Sequence, residues 1–357
     1  MNNGKNKHKK RRRKIIFFLA FLTSIFLIVA TYAWLSTTLN VKIRFVKMGV
    51  ASNSGLFISL DGLDFSEEVV VSMDSIITDL KATYPNHTNQ WAAMGLWPVS
   101  SNGIINTNSD KFNFYAGSLL RTTARYPNGK VKRLLNTEAL LENDVNSRSY
   151  FIGFDIFLKN ATGSPKNDNL YFGKTTEVVY DEEVVDDVKH DQLMTGLLNS
   201  LRIGLVKIGD YVPHTASATM AQSLMCDNRC QMVIYEPYST VHTEASIRSA
   251  ETYGITLVDG EYTPTYGIIG EGIHLEHTNG HAGTGYLLDT SYFSLQNTIK
   301  DDHVQNEIPI FELPNGITKY RVYIWLEGQD MDSLETFSRG ASLAVNIDFF
   351  KDTAGYE

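Results

Sequence analysis

Four polar constellations in this chain could do chemistry, and each also has a structural use. His274-Leu-Glu-His-Thr-Asn-Gly-His281 holds three imidazoles and a carboxylate within one short stretch. His277 and His281 have the i,i+4 spacing that sets two ligands on one helix face, with Glu276 alongside, as a zinc-activated water would need. The order is not the His-Glu-x-x-His of zinc peptidases, and Gly280, Gly283 and Gly285 argue for a polar loop in place of a helix. In Glu327-Gly-Gln-Asp-Met-Asp332, Gly328 permits a bend between Glu327, Asp330 and Asp332. This is the better calcium candidate, because calcium takes six to eight oxygens converging from a tight loop. The alternative there is a turn that closes a core strand. Asp181-Glu-Glu-Val-Val-Asp-Asp187, with Asp191, is richer in carboxylates, but it lacks Gly and centres on Val184-Val185, so it reads as a solvated charge run. The only cysteines, Cys226 and Cys230, flank the turn formers Asp227-Asn228, which favours a small disulfide ring. No second Cys pair stands near them to complete a zinc site.

Other chemistries are absent as motifs. There is no Gly-x-Ser-x-Gly nucleophile elbow and no phosphate-cradling Gly-x-x-x-x-Gly-Lys-Ser/Thr. Gly267-Ile-Ile-Gly-Glu-Gly272 has the wrong spacing for a dinucleotide fingerprint. No catalytic residue or cofactor is predicted, calcium apart.

The elements that would position these groups are mostly strands. Gly55–Leu60, Tyr150–Lys159, Leu201–Lys207, Gln231–Tyr235, Tyr320–Leu326 and Ser342–Phe350 are rich in β-branched and aromatic residues. Arg202, Val206, Arg321, Tyr323, Asn346 and Asp348 alternate with apolar neighbours, the period of a sheet with one face in water. Asn136–Glu142 reads as a capped helical turn, and Asp191–Leu198 as a short helix leading into a strand. The expected fold is all-β: an antiparallel, jelly-roll-like β-sandwich with long loops and a few short helices. It would span residues 36–357, a length large for one sandwich, with elaborations at about 73–145 and 236–305.

The first 36 residues predict where this domain works. Eight Lys and Arg between Lys5 and Lys14 form a basic tail, residues 1–14, and abut Ile15–Leu35, 21 residues without a charge. About 20 apolar residues in a helix cross the hydrocarbon core of a bilayer. Basic residues on the N-terminal side alone keep that side cytoplasmic and place the rest outside the cell. Ala30-Thr-Tyr-Ala33 offers small residues for cleavage after Ala33, which would release a secreted form; Tyr32 and Trp34 equally suit the interface of a retained anchor, the favoured reading. Without its basic start the chain has 24 basic against 40 acidic residues, a net −16 that disfavours nucleic acid and anionic headgroups as partners of the exported domain.

Ala30-Thr-Tyr-Ala-Trp-Leu-Ser36 resembles the Thr-Tyr/Trp-Ala-aromatic-Phe-Ser pattern of exported β-sandwich proteins of Gram-positive bacteria, the TasA/camelysin class, with Leu35 in place of the usual Phe. Ser200–Leu205, Val233–Pro237 and Tyr323–Asp330 look like motifs of a broader set of membrane-tethered surface proteins. The resemblance implies a jelly-roll-like exported domain and assembly into surface or matrix fibres. Asn40–Lys47 alternates apolar and basic residues; it could fill a neighbour's sheet edge or serve as the first strand of its own sheet. The expected role is a non-catalytic surface or matrix structural or adhesive protein, with the lipid bilayer at residues 15–35 and self-association or a cell-wall component as partners. The alternatives are a tethered module binding a ligand on its loops, and an exported metal-dependent hydrolase.

Overall fold

The computed structural model describes residues 41–51, 55–80, 87–106 without 94, 111–120, 134–140, 142, 149–181 without 164, 196–212, 218–226, 230–238, 242–253, 308–328, 330, 332–333 and 342–353, with short strands between 257 and 300. The basic tail, the 15–35 segment, Ala33, His274–His281, Glu182–Asp187 and Asp191 lie outside the described residues. Among the described residues no helix is long and apolar enough to cross a membrane.

The first strands are β1 (Lys42–Val50), β2 (Leu56–Ser59), β3 (Glu68–Val71) and β4 (Asn89–Gln90), with a π-helical turn at Ser75–Asp79. Next come β5 (Val99–Asn106), β6 (Lys111–Leu120), β7 (Leu134–Leu140), β8 (Phe151–Asn160), β9 (Asp168–Phe172) and β10 (Glu177–Tyr180). Helix α1 (Leu197–Ser200) leads into β11 (Leu201–Tyr211), and α2 (Ala218–Gln222) precedes β12 (Gln231–Glu236). After α3 (Glu244–Tyr253) follow the short strands β13 (Leu257–Val258), β14 (Glu261–Tyr262), β15 (Tyr266–Ile268), β16 (Tyr286–Asp289), β17 (Phe293–Leu295) and β18 (Thr298–Lys300). The chain closes with β19 (Phe311–Leu313), β20 (Gly316–Leu326) and β21 (Ser342–Thr353).

Two large sheets share one core. The first runs β19-β9-β21-β1-β3, with β10 beside β9 along the same flank of β21. The second runs β18-β12-β11-β20-β8-β2, with β4 also on β8. Alternate residues of β20 (Tyr320, Val322, Ile324, Leu326) and β8 (Ile152, Phe154, Ile156, Leu158) meet Val46, Met48, Val345, Ile347 and Phe349 of the first sheet in a continuous apolar cluster. The sheet shifts register between Ile43 and Phe45, so Ile43 and Val46 both reach this core while Arg44 turns out to pair with Asp181.

Asn40–Lys47 takes the second of its two readings, a strand of its own sheet: β1 is an interior strand bonded to β21 and β3. Three expectations change. Pairing is mainly antiparallel, but β1 lies parallel to β21, and β18 parallel to β12. Asn136–Leu140 is strand, not helix, because β7 is held between β6 and β16. Most consequential, the outer face of the second sheet is not wet. The 73–145 elaboration supplies three strands of the sheet β16-β7-β6-β5, and Val99, Phe112 and Phe114 pack with Phe151, Val206, Tyr323 and Trp325. Tyr323 is flanked across the ladder by Gly204 and Gly153, and a Cβ on Gly153 would come within 3.0 Å of its ring. Glycine on both sides is what admits a large aromatic in this layer.

Candidate functional site

The polar residues that punctuate β8, β11 and β20 form three buried clusters on this covered face. The first centres on Asp155, which is fully buried and stands directly opposite Arg321 in the ladder. Arg321 donates to it from Nε at 2.6 Å and from Nη2 at 3.2 Å, and Lys319 Nζ lies 3.3 Å away. His87 closes the cluster: the Asp155 N–H donates to Nε2 at 3.3 Å, and Nδ1 lies 3.0 Å from Oδ2. One ring nitrogen of His87 thus faces the Asp155 backbone and the other its carboxylate. Burial alone would raise the Asp155 carboxyl, but Arg321, His87 and Lys319 outweigh it and hold it well below the usual carboxylate range. Lys319 also donates to the carbonyls of Gln222 and Leu224 at 3.1 Å, which fastens the end of α2 to the sheet.

The second cluster ties the overlying layer down. The Tyr323 hydroxyl donates to Glu142 at 2.6 Å and accepts the Phe112 N–H at 3.1 Å. Lys111 Nζ reaches the other Glu142 oxygen at 2.6 Å. Burial, with the Glu142 charge behind it, pushes the Tyr323 hydroxyl well above its ordinary value, so it stays a donor.

The third cluster gathers Glu327, Asp330 and Asp332, the calcium candidates. Arg202 Nη2 donates to both Glu236 and Asp330, and Nη1 donates to the Asn199 carbonyl at 2.7 Å. Glu327 accepts Ser100 Oγ at 2.7 Å and Trp325 Nε1 at 3.1 Å. Asp332 meets His242 Nδ1 at 2.7 Å and accepts the Thr243 N–H at 3.1 Å, while Thr243 Oγ1 caps α3 by accepting the Ser246 N–H at 3.1 Å. Each of the three carboxylates thus has its own protein donor, and among the described residues no group of three or more His, Cys, Asp or Glu is arranged to hold a metal ion. Acid outnumbers base in this dry site. Burial, helped by Asp332 and Glu236 and opposed by Arg202, raises the Asp330 carboxyl to about 6. Gly196, at φ +67°, lets the chain into α1 pass the Asp332 carbonyl, which a Cβ would approach to 2.7 Å.

Two further ties lie elsewhere. Cys226 and Cys230 are disulfide-bonded, with Cα atoms 5.5 Å apart. Lys351 bridges Asp168 at 2.7 Å and Asn160 at 2.8 Å, joining the two large sheets at the end remote from Val41. Sequence reasoning missed Asp155, His87 and Glu142. Asp155 was the findable one, because a lone acid inside Phe151–Leu158 has no reason to sit among those apolar residues without a buried base. No protein-family model, curated protein or solved structure matches the chain.

Proposed function

We propose that this chain is a non-catalytic surface protein, tethered by residues 15–35 with its β domain outside the cell, and that its role is structural or adhesive. In this reading the two sheets around one core form a jelly-roll-like sandwich, and the third layer stiffens it. The observation that carries the proposal is that the described acid and base groups on the covered face engage one another inside the fold: Asp155 with Arg321, Glu142 with Tyr323 and Lys111, Glu236 and Asp330 with Arg202. Groups committed to one another in a dry layer act as fasteners between layers. For assembly the first sheet offers β3 as an edge strand, with its Val70 54% exposed. Sedimentation of the purified chain over a wide concentration range, with electron microscopy of the same samples, tests this. Concentration-dependent fibres or oligomers support it; a strict monomer that captures a small ligand would favour the tethered binding module. Stoichiometric zinc, with hydrolytic activity lost on His277→Ala, would favour the hydrolase.

A further inference from the structure

Residues 91–98, Trp-Ala-Ala-Met-Gly-Leu-Trp-Pro, join β4 to β5 without a single charged side chain. Trp91, Ala92 and Leu96 turn into the protein, each 4% exposed, whereas Ala93 is exposed and Trp97 is left 47% in water. The loop is held firmly. The Leu96 N–H donates to the Val41 carbonyl at 2.6 Å, and the Trp97 N–H to the Ser149 carbonyl at 2.7 Å.

The position of the loop gives this exposure meaning. Val41 directly precedes β1, Lys42 pairs with Ser342 at the start of β21, and Val99 bridges Glu327 just past the end of β20. The Trp91–Pro98 loop therefore lies at the end of the domain where the chain arrives from Leu35. Six Cα steps separate Leu35 from Val41, a reach of at most about 22 Å. Each headgroup layer is about 5–8 Å deep, taking half the difference between the full bilayer and its hydrocarbon core. An indole with an apolar body and one N–H is the side chain that settles at that level. Lys42, exposed on the neighbouring strand, can direct its ammonium to the phosphates along an apolar stem.

We propose that the Trp91–Pro98 loop is a second membrane contact, seating the Trp97 indole in the headgroup layer of the bilayer crossed by residues 15–35. The inference rests on the tethered reading above. It fixes which end of the domain faces the lipid and leaves the opposite end free for partners.

The test uses the full chain reconstituted in phosphatidylcholine vesicles, with and without bromine on the upper acyl carbons. Trp34→Phe removes the indole of the 15–35 segment, leaving Trp91 and Trp325 buried and Trp97 exposed. Brominated lipid is expected to lower the emission of this variant, and adding Trp97→Phe is expected to abolish that drop. Alkaline carbonate extraction of the same vesicles reports the tether separately. A chain retained through carbonate whose emission is identical in brominated and plain lipid overturns the loop contact and leaves the tether intact. A chain that carbonate strips from the vesicles overturns the tether, and the contact with it.

Discussion

Replacing Asp155 by Asn is expected to cost more than any other single polar change on the covered face. The carboxylate is fully buried and engages Arg321 at 2.6 and 3.2 Å, Lys319 at 3.3 Å and His87 at 3.0 Å. An amide of the same shape removes the carboxylate charge that faces Arg321 and Lys319 in a buried layer. Breaking a buried pair in this way costs about 3–5 kcal/mol. A domain stable by about 5–15 kcal/mol would lose a large part of its margin. Equilibrium urea unfolding, followed by far-UV dichroism, measures it. Asp155→Leu with Arg321→Met is the control, since exchanging both partners for apolar residues of similar volume is far cheaper than removing one. Acid supplies a second readout. The folded-state carboxyl lies below its unfolded value of 3.8, so its contribution is present above about pH 4 and lost as pH falls through the folded value. The Asp155→Asn variant should lack that acid-labile component. A cost below about 1 kcal/mol, the range of an exposed pair, would refute the reasoning. So would a double variant no more stable than the single Asp155→Asn variant.

Asp330 should give the opposite pH slope: a carboxyl raised to about 6 from 3.8 adds stability that is complete below about pH 4 and disappears as pH rises through 6. Between about pH 7 and 4.5 thermal unfolding should show a gain of about 2 kcal/mol from this group, and Asp330→Asn should flatten it. Gly153→Ala should destabilise by about 1–3 kcal/mol, because the new methyl meets the Tyr323 ring at 3.0 Å and Thr88 Cγ2 at 3.2 Å; an unchanged melting temperature would mean that the layer yields freely. Reducing the Cys226–Cys230 bond opens a very small ring and should lower stability by roughly 2 kcal/mol, read as the shift in unfolding midpoint with and without dithiothreitol.

The central strands were legible because each carries its own signal. Tyr150–Lys159, Leu201–Lys207, Gln231–Tyr235, Tyr320–Leu326 and Ser342–Phe350 all fall on β8, β11, β12, β20 and β21. Which strands would pair was not, since the parallel match of Lys42 with Ser342 joins the first strand to the last and leaves no local trace. Composition misled at Asn136–Glu142. Thr-Glu-Ala-Leu-Leu-Glu favours a helix, yet pairing on both flanks of β7 outweighs a preference of about a few tenths of a kcal/mol per residue.

The covered face shows why period-2 alternation is ambiguous. Arg202, Arg321 and Tyr323 alternate with core residues as they would on a solvated sheet, and the pattern alone does not say whether water or protein lies beyond them. What separates the two cases is complementarity across the ladder. On a wet face a charge needs no partner, and a surface pair adds about 0–1 kcal/mol. Here Asp155 and Arg321 occupy directly opposed positions on adjacent strands, each among bulky apolar neighbours, and Gly153 and Gly204 clear space for the Tyr323 ring between them. Length points the same way. Two sheets of these strands do not use about 320 residues, and the excess that reads as loop includes the layer that buries the charged face. An opposed acid and base inside two apolar strands, in a domain too long for its sheets, therefore mark a buried polar layer, and the Asp155 substitution measures how dry that layer is.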